Sequence, residues 1–375
     1  MFKLTNSIKA LVAYSLLLIV SMKISHQSTR FILFSYLCIL IYRSNFILML
    51  NRRFLRVKVL QEIYACHQSE ETDLNKAEKH LLENVDNLYQ LFVYQLSFWV
   101  EVKRFAERRV EENRNKNFPT YEDLNPNMKF VNNRVLNMLD NNKHLLALEE
   151  SYKINWADYR EDFIRGFYNR LREYPEYQAY MALSDDSFDD DRKFLLSIVD
   201  KYMAEENSED DENTSFLSDF YSDRNLSFNS DYQIAVFLLW KFLNEMQNDF
   251  NENTKLPPVY KTQGNMPNED REFVIKLFRK TMSDAESYKN IVENNISNWD
   301  YDRLALMDRI LIFMAMTEFA QFRDIPVKVT INEYIEISKY YSTPDSRRFI
   351  NGVLDKVSQI MKEEGLLVKT GRGLI

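Results

Sequence analysis

Six glycines and eight prolines in 375 residues leave this chain few places to turn sharply. Sheets need tight turns, and tight turns draw on those two residues, so the scarcity points to an all-α fold. With 45% hydrophobic residues the chain is long enough to bury one large core or two ordinary ones. Tyrosine and phenylalanine are abundant and many fall at helical spacing. Most of them are therefore expected in the core rather than on a base-stacking platform.

The helical segments read off in order. Asn51–Gln68 is a basic amphipathic helix with Val57, Leu60, Ile63 and Tyr64 on one face and Arg52, Arg53, Arg56 and Lys58 as a cationic cluster. Thr72–Asn115 is one long helix or a pair, with a heavily charged second half. Prolines 119 and 126 break the pattern over Phe118–Met128. Val131–Leu148 and Trp156–Met181 are further helices, the latter carrying arginines mixed with carboxylates, as in an ion-paired surface. The acidic runs Asp185–Asp191 and Glu205–Glu212 lack the ligand order and glycine of a calcium loop and are expected to be solvated loops. Asn251–Asn268 is the clearest linker. Asp191–Leu195 is echoed at Asp270–Val274, either as a duplicated helix pair or as shared amphipathic composition.

Met1–Leu48 carries five Lys or Arg and no acid, and its two apolar runs, Ala10–Met22 and Phe31–Tyr42, are each short of the roughly 20 residues of a span. A start codon placed too early, with Met49 the first residue, is favoured. A membrane anchor and an ordered extra segment are the alternatives. The formal charge of -8 excludes a general polyanion binder, so nucleic-acid binding would need a local basic patch. Two cysteines, Cys38 and Cys66, suit a reducing, cytoplasmic setting. No His or Cys pair stands at metal-ligand spacing, and no phosphate-cradling glycine loop or nucleophile elbow occurs. No catalytic residue, metal or cofactor is therefore assigned.

The most informative stretch is Asn332–Lys356, two helices joined by a short hinge. Thr330 and Glu333 have capping-box spacing. Thr343, Pro344 and Asp345 suit the cap, first position and first turn of the second helix. Phe349, Val353, Val357 and Ile360 form its expected buried stripe. Gly352, inside that helix, is expected where a neighbouring helix comes close.

Asn332-Glu333, Ser338-Lys339, Asp345-Ser346 and the run Phe349-Ile350-Asn351-Gly352-Val353-Leu354-Asp355-Lys356 resemble the C-terminal signature of the NusB transcription antitermination family. Trp299, Arg303-Leu304, Met307-Asp308-Arg309 and Ile325-Pro326-Val327-Lys328-Val329 agree with it. The resemblance is close from about Asp270 to Lys356 and returns at Arg52-Arg53. It implies a pair of packed helical bundles, with 49–70 and 268–298 building the first, 299–375 the second, and 71–267 inserted as extra helices. Residues 1–48 precede them as a hydrophobic extension.

That resemblance implies a non-enzymatic adaptor. It would bind boxA-type single-stranded RNA with the ribosomal protein NusE and join the antitermination complex on RNA polymerase, notably in ribosomal RNA synthesis, without a membrane. The RNA-facing residues implied are Arg52, Arg53, Arg56, Lys58, Tyr64, Asp345 and Phe349. Tyr64 and Phe349 are equally open to plain core packing. Asp308 is implied to face NusE, with solvent or an intrahelical pair as its alternative. The competing reading is an RNA-recruiting NusB-like module of an RNA-modifying enzyme, although the insertion offers neither a cofactor loop nor a catalytic cysteine. A membrane-tethered scaffold built on Met1–Leu48 is a weaker third.

Overall fold

The computed structural model describes residues 52–185, 187–204, 231–260, 268–295, 304–343 and 346–374. Met1–Leu48, Glu205–Glu212 and Asp345 lie outside the described residues. Those residues hold fourteen α-helices and no strand, as the shortage of turn formers leads one to expect.

Helix α1 (Arg52–Ser69) leads into α2 (Leu74–Arg114), which Asp73 caps by accepting from the amides of Asn75 and Lys76. The charged second half does not break α2: 41 residues run on as one helix of about 62 Å. Short helices α3 (Tyr121–Leu124), α4 (Arg134–Asp140), α5 (Lys143–Ser151), α6 (Arg165–Glu173), α7 (Pro175–Met181) and α8 (Phe188–Ile198) fold along it. Next come α9 (Asp231–Glu245), α10 (Glu269–Ser283) and α11 (Ala285–Asn295). The chain closes with α12 (Leu306–Gln321), α13 (Val327–Tyr341) and α14 (Ser346–Glu363). No helix among the described residues is long and apolar enough to cross a membrane.

Two packed groups share α1 and α2. In one, α2 is the spine against which α9 and the short helices bury their rings. Phe98 sits 4.8 Å from Phe167, 5.5 Å from Phe163 and 5.8 Å from Trp156, centroid to centroid, while Tyr180 stacks on Phe194 at 4.2 Å. These offset and edge-on pairs are core packing, as the aromatic spacing suggests. In the other group α12 is apolar almost all round and is covered by α1, α10, α11, α13 and α14. Lys369 donates to the carbonyls of Glu318 (3.3 Å) and Phe322 (2.9 Å), closing the C-terminal end of α12.

Several local expectations change. Asp189, Asp190 and Asp191 do not lie in a solvated loop. They form the first turn of α8 behind the Ser187 cap, where negative charge suits the helix dipole. Asp191 is buried, accepting from Tyr180 Oη (2.6 Å) and the Arg134 amide (2.8 Å). Its echo Asp270 is likewise buried in the first turn of α10. Two of the four arginines of the Trp156–Met181 segment form ion pairs, Arg160 with Glu101 at 2.9 Å and Arg165 with Glu161 at 3.5 Å, while Arg172 lies over the Tyr168 ring. Helix α13 starts at Val327, one turn before the expected cap, so Thr330 and Glu333 lie inside it and form no capping box. On α14 the buried stripe is Ile350, Val353, Leu354, Val357 and Met361. Phe349 and Ile360 are half-buried at its edges.

Candidate nucleic-acid interface

The seam between α1 and α13 organises the site. Arg53 grips Glu333 with two bonds of 2.9 and 2.7 Å, and eight residues later Gln61 donates to Tyr341 Oη at 3.3 Å. Equal steps on both helices, about 12 Å each, mean that they run side by side in the same direction. The arginine end of α1 and the hinge after Tyr341 are therefore two ends of one seam, not opposite sides of the molecule.

The α1 cations are committed inside the protein. Arg56 is 3% exposed and holds Glu318, itself fully buried, through two bonds of 2.8 and 2.7 Å. Glu318 also accepts from Thr330 Oγ1 (2.7 Å) and Tyr334 Oη (3.4 Å). Burial alone would lower the Arg56 pKa, but the Glu318 charge and hydrogen bonds outweigh it and hold the guanidinium above its ordinary value. Phe273 and Tyr334 rings lie within 6 Å of the same guanidinium. Lys58 is 1% exposed and bonds both oxygens of Asp231, at 2.6 and 2.5 Å, where α9 begins. Burial pushes Lys58 down and Asp231 up, and their mutual attraction opposes both shifts. Arg52 lies over Phe273 at 5.1 Å and bonds Asp270 at 3.2 Å, with Glu269 3.8 Å away.

The expected cationic edge is thus corrected at Arg56 and Lys58. Both are buried and compensated, so neither offers charge to a phosphate. Arg53 is 15% exposed in its pair with Glu333, and Arg52, at 31%, is the most open of the four. The cluster ties α1 to α9, α10, α12 and α13.

At the other end of the seam, Asp308 binds the hinge. Its carboxylate accepts from Ser342 Oγ and, at 2.7 Å, from Ser346 Oγ, one residue on each side of the turn from α13 to α14. Thr343 Oγ1 accepts from the Ser346 amide at 3.4 Å, the bond expected of a helix cap. Asp308 is 5% exposed. Its outward, partner-facing role is therefore corrected: the carboxylate points inward and fixes the hinge. Asp345 falls outside the described residues.

Around this hinge stand groups that α1 does not use up. Tyr64 and Tyr340 are each 38% exposed, and Phe349 is half-buried. Tyr64 thus leaves the buried face on which spacing placed it. Burial, and then the Arg309 charge, lower the His67 pKa in the last turn of α1. Arg348 is exposed, and among the described residues neither it nor Arg347 makes an ion pair. The Arg347 Nε is buried with no hydrogen-bond partner among them. Sequence reasoning passed over this arginine pair, since Asp345 stands three residues before Arg348, the spacing of an intrahelical ion pair. No group of three His, Cys, Asp or Glu suited to a metal occurs among the described residues.

The NusB family model matches residues 231–359, from α9 to α14. That match begins inside the stretch read from the sequence as an insertion, and α1 lies before it. Three proteins described as transcription antitermination protein NusB are similar. The one from Salinibacter ruber is 46% identical over 105 residues, 28% of this chain and 66% of that protein. The one from Chloroherpeton thalassium is 36% identical over 105 residues, 28% of this chain and 50% of that protein. The one from Alkaliphilus oremlandii is 30% identical over 138 residues, 36% of this chain and 96% of that protein. No solved structure matches. The first two alignments cover about two thirds and a half of those relatives, whereas the third runs through nearly a whole one. With an all-helical body and a family match that covers its last six helices, the chain belongs to the NusB family.

Proposed function

We propose that this protein is a transcription antitermination factor that binds boxA-type single-stranded RNA at the α13–α14 hinge. It acts together with the ribosomal protein NusE, as part of the antitermination complex on RNA polymerase, notably in ribosomal RNA synthesis, and without chemistry of its own. The observation that carries the reading is the hinge surface: Arg347 and Arg348, which make no ion pair among the described residues, beside Phe349 in the family-matched stretch. Guanidinium groups neutralise phosphates, and an unpaired base stacks on an aromatic face for roughly 1–3 kcal/mol. Tyr64 and Phe349 are the rings offered. Arg52 and Arg53, partly open at the far end of the seam, are paired with Asp270 and Glu333, and with Arg56 and Lys58 they hold the scaffold.

The test is RNA binding by fluorescence anisotropy, across salt concentrations, with and without the protein's own NusE. Wild type is expected to bind a boxA-like RNA weakly alone and more tightly with NusE. R347E/R348E should lose most of that affinity and reduce the slope of log K against log salt by about 1.4, from two phosphates at roughly 0.7 each. Unchanged affinity and slope in that variant would reject the placement.

A further inference from the structure

Gly352 occupies the middle of α14, where glycine costs about 1 kcal/mol relative to alanine. The sequence suggests that a neighbouring helix presses on it. None does among the described residues: Gly352 is exposed, and a Cβ at that position would meet none of their atoms within 4 Å. Neither packing nor a left-handed backbone asks for glycine here.

The surroundings say what the gap suits. Four residues before Gly352 stands Arg348, and four after it Lys356, both exposed and neither ion-paired among the described residues. Residues four apart share a helix face about 6 Å apart along the axis, so the row reads cation, bare backbone, cation over about 12 Å. Phe349 flanks the row on the Lys356 side. Asp355 is exposed on the other flank, and Glu363 ends the row two turns further on.

We propose that this face of α14 is the track of the RNA sugar–phosphate backbone. Arg348 and Lys356 meet phosphates, and the missing side chain of Gly352 lets the strand lie against the helix. Bases then turn toward Phe349 and the hinge. The inference rests on the RNA-binding reading above and adds a path and a close contact to it. Single-stranded RNA is the occupant that these two cations, in no ion pair among the described residues, favour over an apolar protein surface.

The experiment measures a labelled boxA-like RNA and, separately, NusE binding to full-length wild type, G352A, G352L and N351L. Asn351 is exposed and about 100° round the helix from Gly352. With open space at the Cβ, G352A should melt at or above the wild-type temperature. It should lose RNA affinity about 3-fold and G352L at least 10-fold, while N351L stays within 2-fold and all bind NusE normally. RNA affinity unchanged in folded G352A and G352L would overturn the track while leaving the function intact. Loss of NusE binding with RNA binding unchanged would assign the face to a protein and overturn it too. A wild type that binds no RNA with or without NusE would remove the functional reading itself, and the track with it.

Discussion

Replacing Arg56 with alanine separates a structural guanidinium from an RNA-binding one. The side chain is 3% exposed, and its partner Glu318 is completely buried. Without Arg56 the Glu318 carboxylate keeps only the Thr330 and Tyr334 hydroxyls, at 2.7 and 3.4 Å. Breaking one side of a buried pair costs about 3–5 kcal/mol, because the surviving charge stays desolvated. Urea unfolding of the whole chain should therefore show R56A losing about 3–5 kcal/mol, whereas R348A, on an exposed site, changes by less than about 0.5. The double variant R56A/E318A should lose less than the sum of the singles by about 1–3 kcal/mol, since the stranded charge is gone. A folded R56A within about 1 kcal/mol of wild type that loses RNA affinity would refute this reasoning and return Arg56 to the binding surface.

Two more outcomes follow from the seam and the hinge. Asp308→Ala strips two hydroxyls of their acceptor and should cost about 1–3 kcal/mol by urea unfolding; full stability with lost NusE binding would make Asp308 a partner contact after all. At Glu333, burial would raise the carboxyl pKa, but the Arg53 bonds and the two arginine charges hold it below the ordinary 4.5. Stability from this group is full above about pH 4.5 and lost as pH falls through the lower folded value. The stability gap between wild type and R53M should therefore narrow below pH 4.5, and a gap constant from pH 7 to 3 would contradict the pairing.

Much of the fold was legible because it follows from local rules. Few turn formers meant helices, and the Asn332–Lys356 pattern gave both C-terminal helices and the hinge, down to the Thr343 cap. The fate of the α1 arginines was not legible. Arg56 finds Glu318 262 residues away and Lys58 finds Asp231 173 residues away, so no short-range charge pattern could pair them. A cationic run at helical spacing looks the same whether its partners are phosphates or distant carboxylates. Thr330 misled for a related reason: cap spacing recurs by chance inside a helix, and a buried Glu318 took its hydroxyl. The acidic run at Asp189 illustrates the converse, since a charge cluster that resembles a loop also suits a helix N-terminus. Gly352 stands out in the sequence, but only the surrounding space could show that no described helix fills the gap beside it.

The central claim is that RNA lies along the hinge and the first turns of α14. Photocrosslinking a thiouridine-substituted boxA-like RNA to the full-length protein, followed by mapping of the modified peptides, tests it most directly. Crosslinks should concentrate in the peptides holding Tyr64 and residues 347–356. Crosslinks confined to the inserted helices, within residues 74–204, would contradict it.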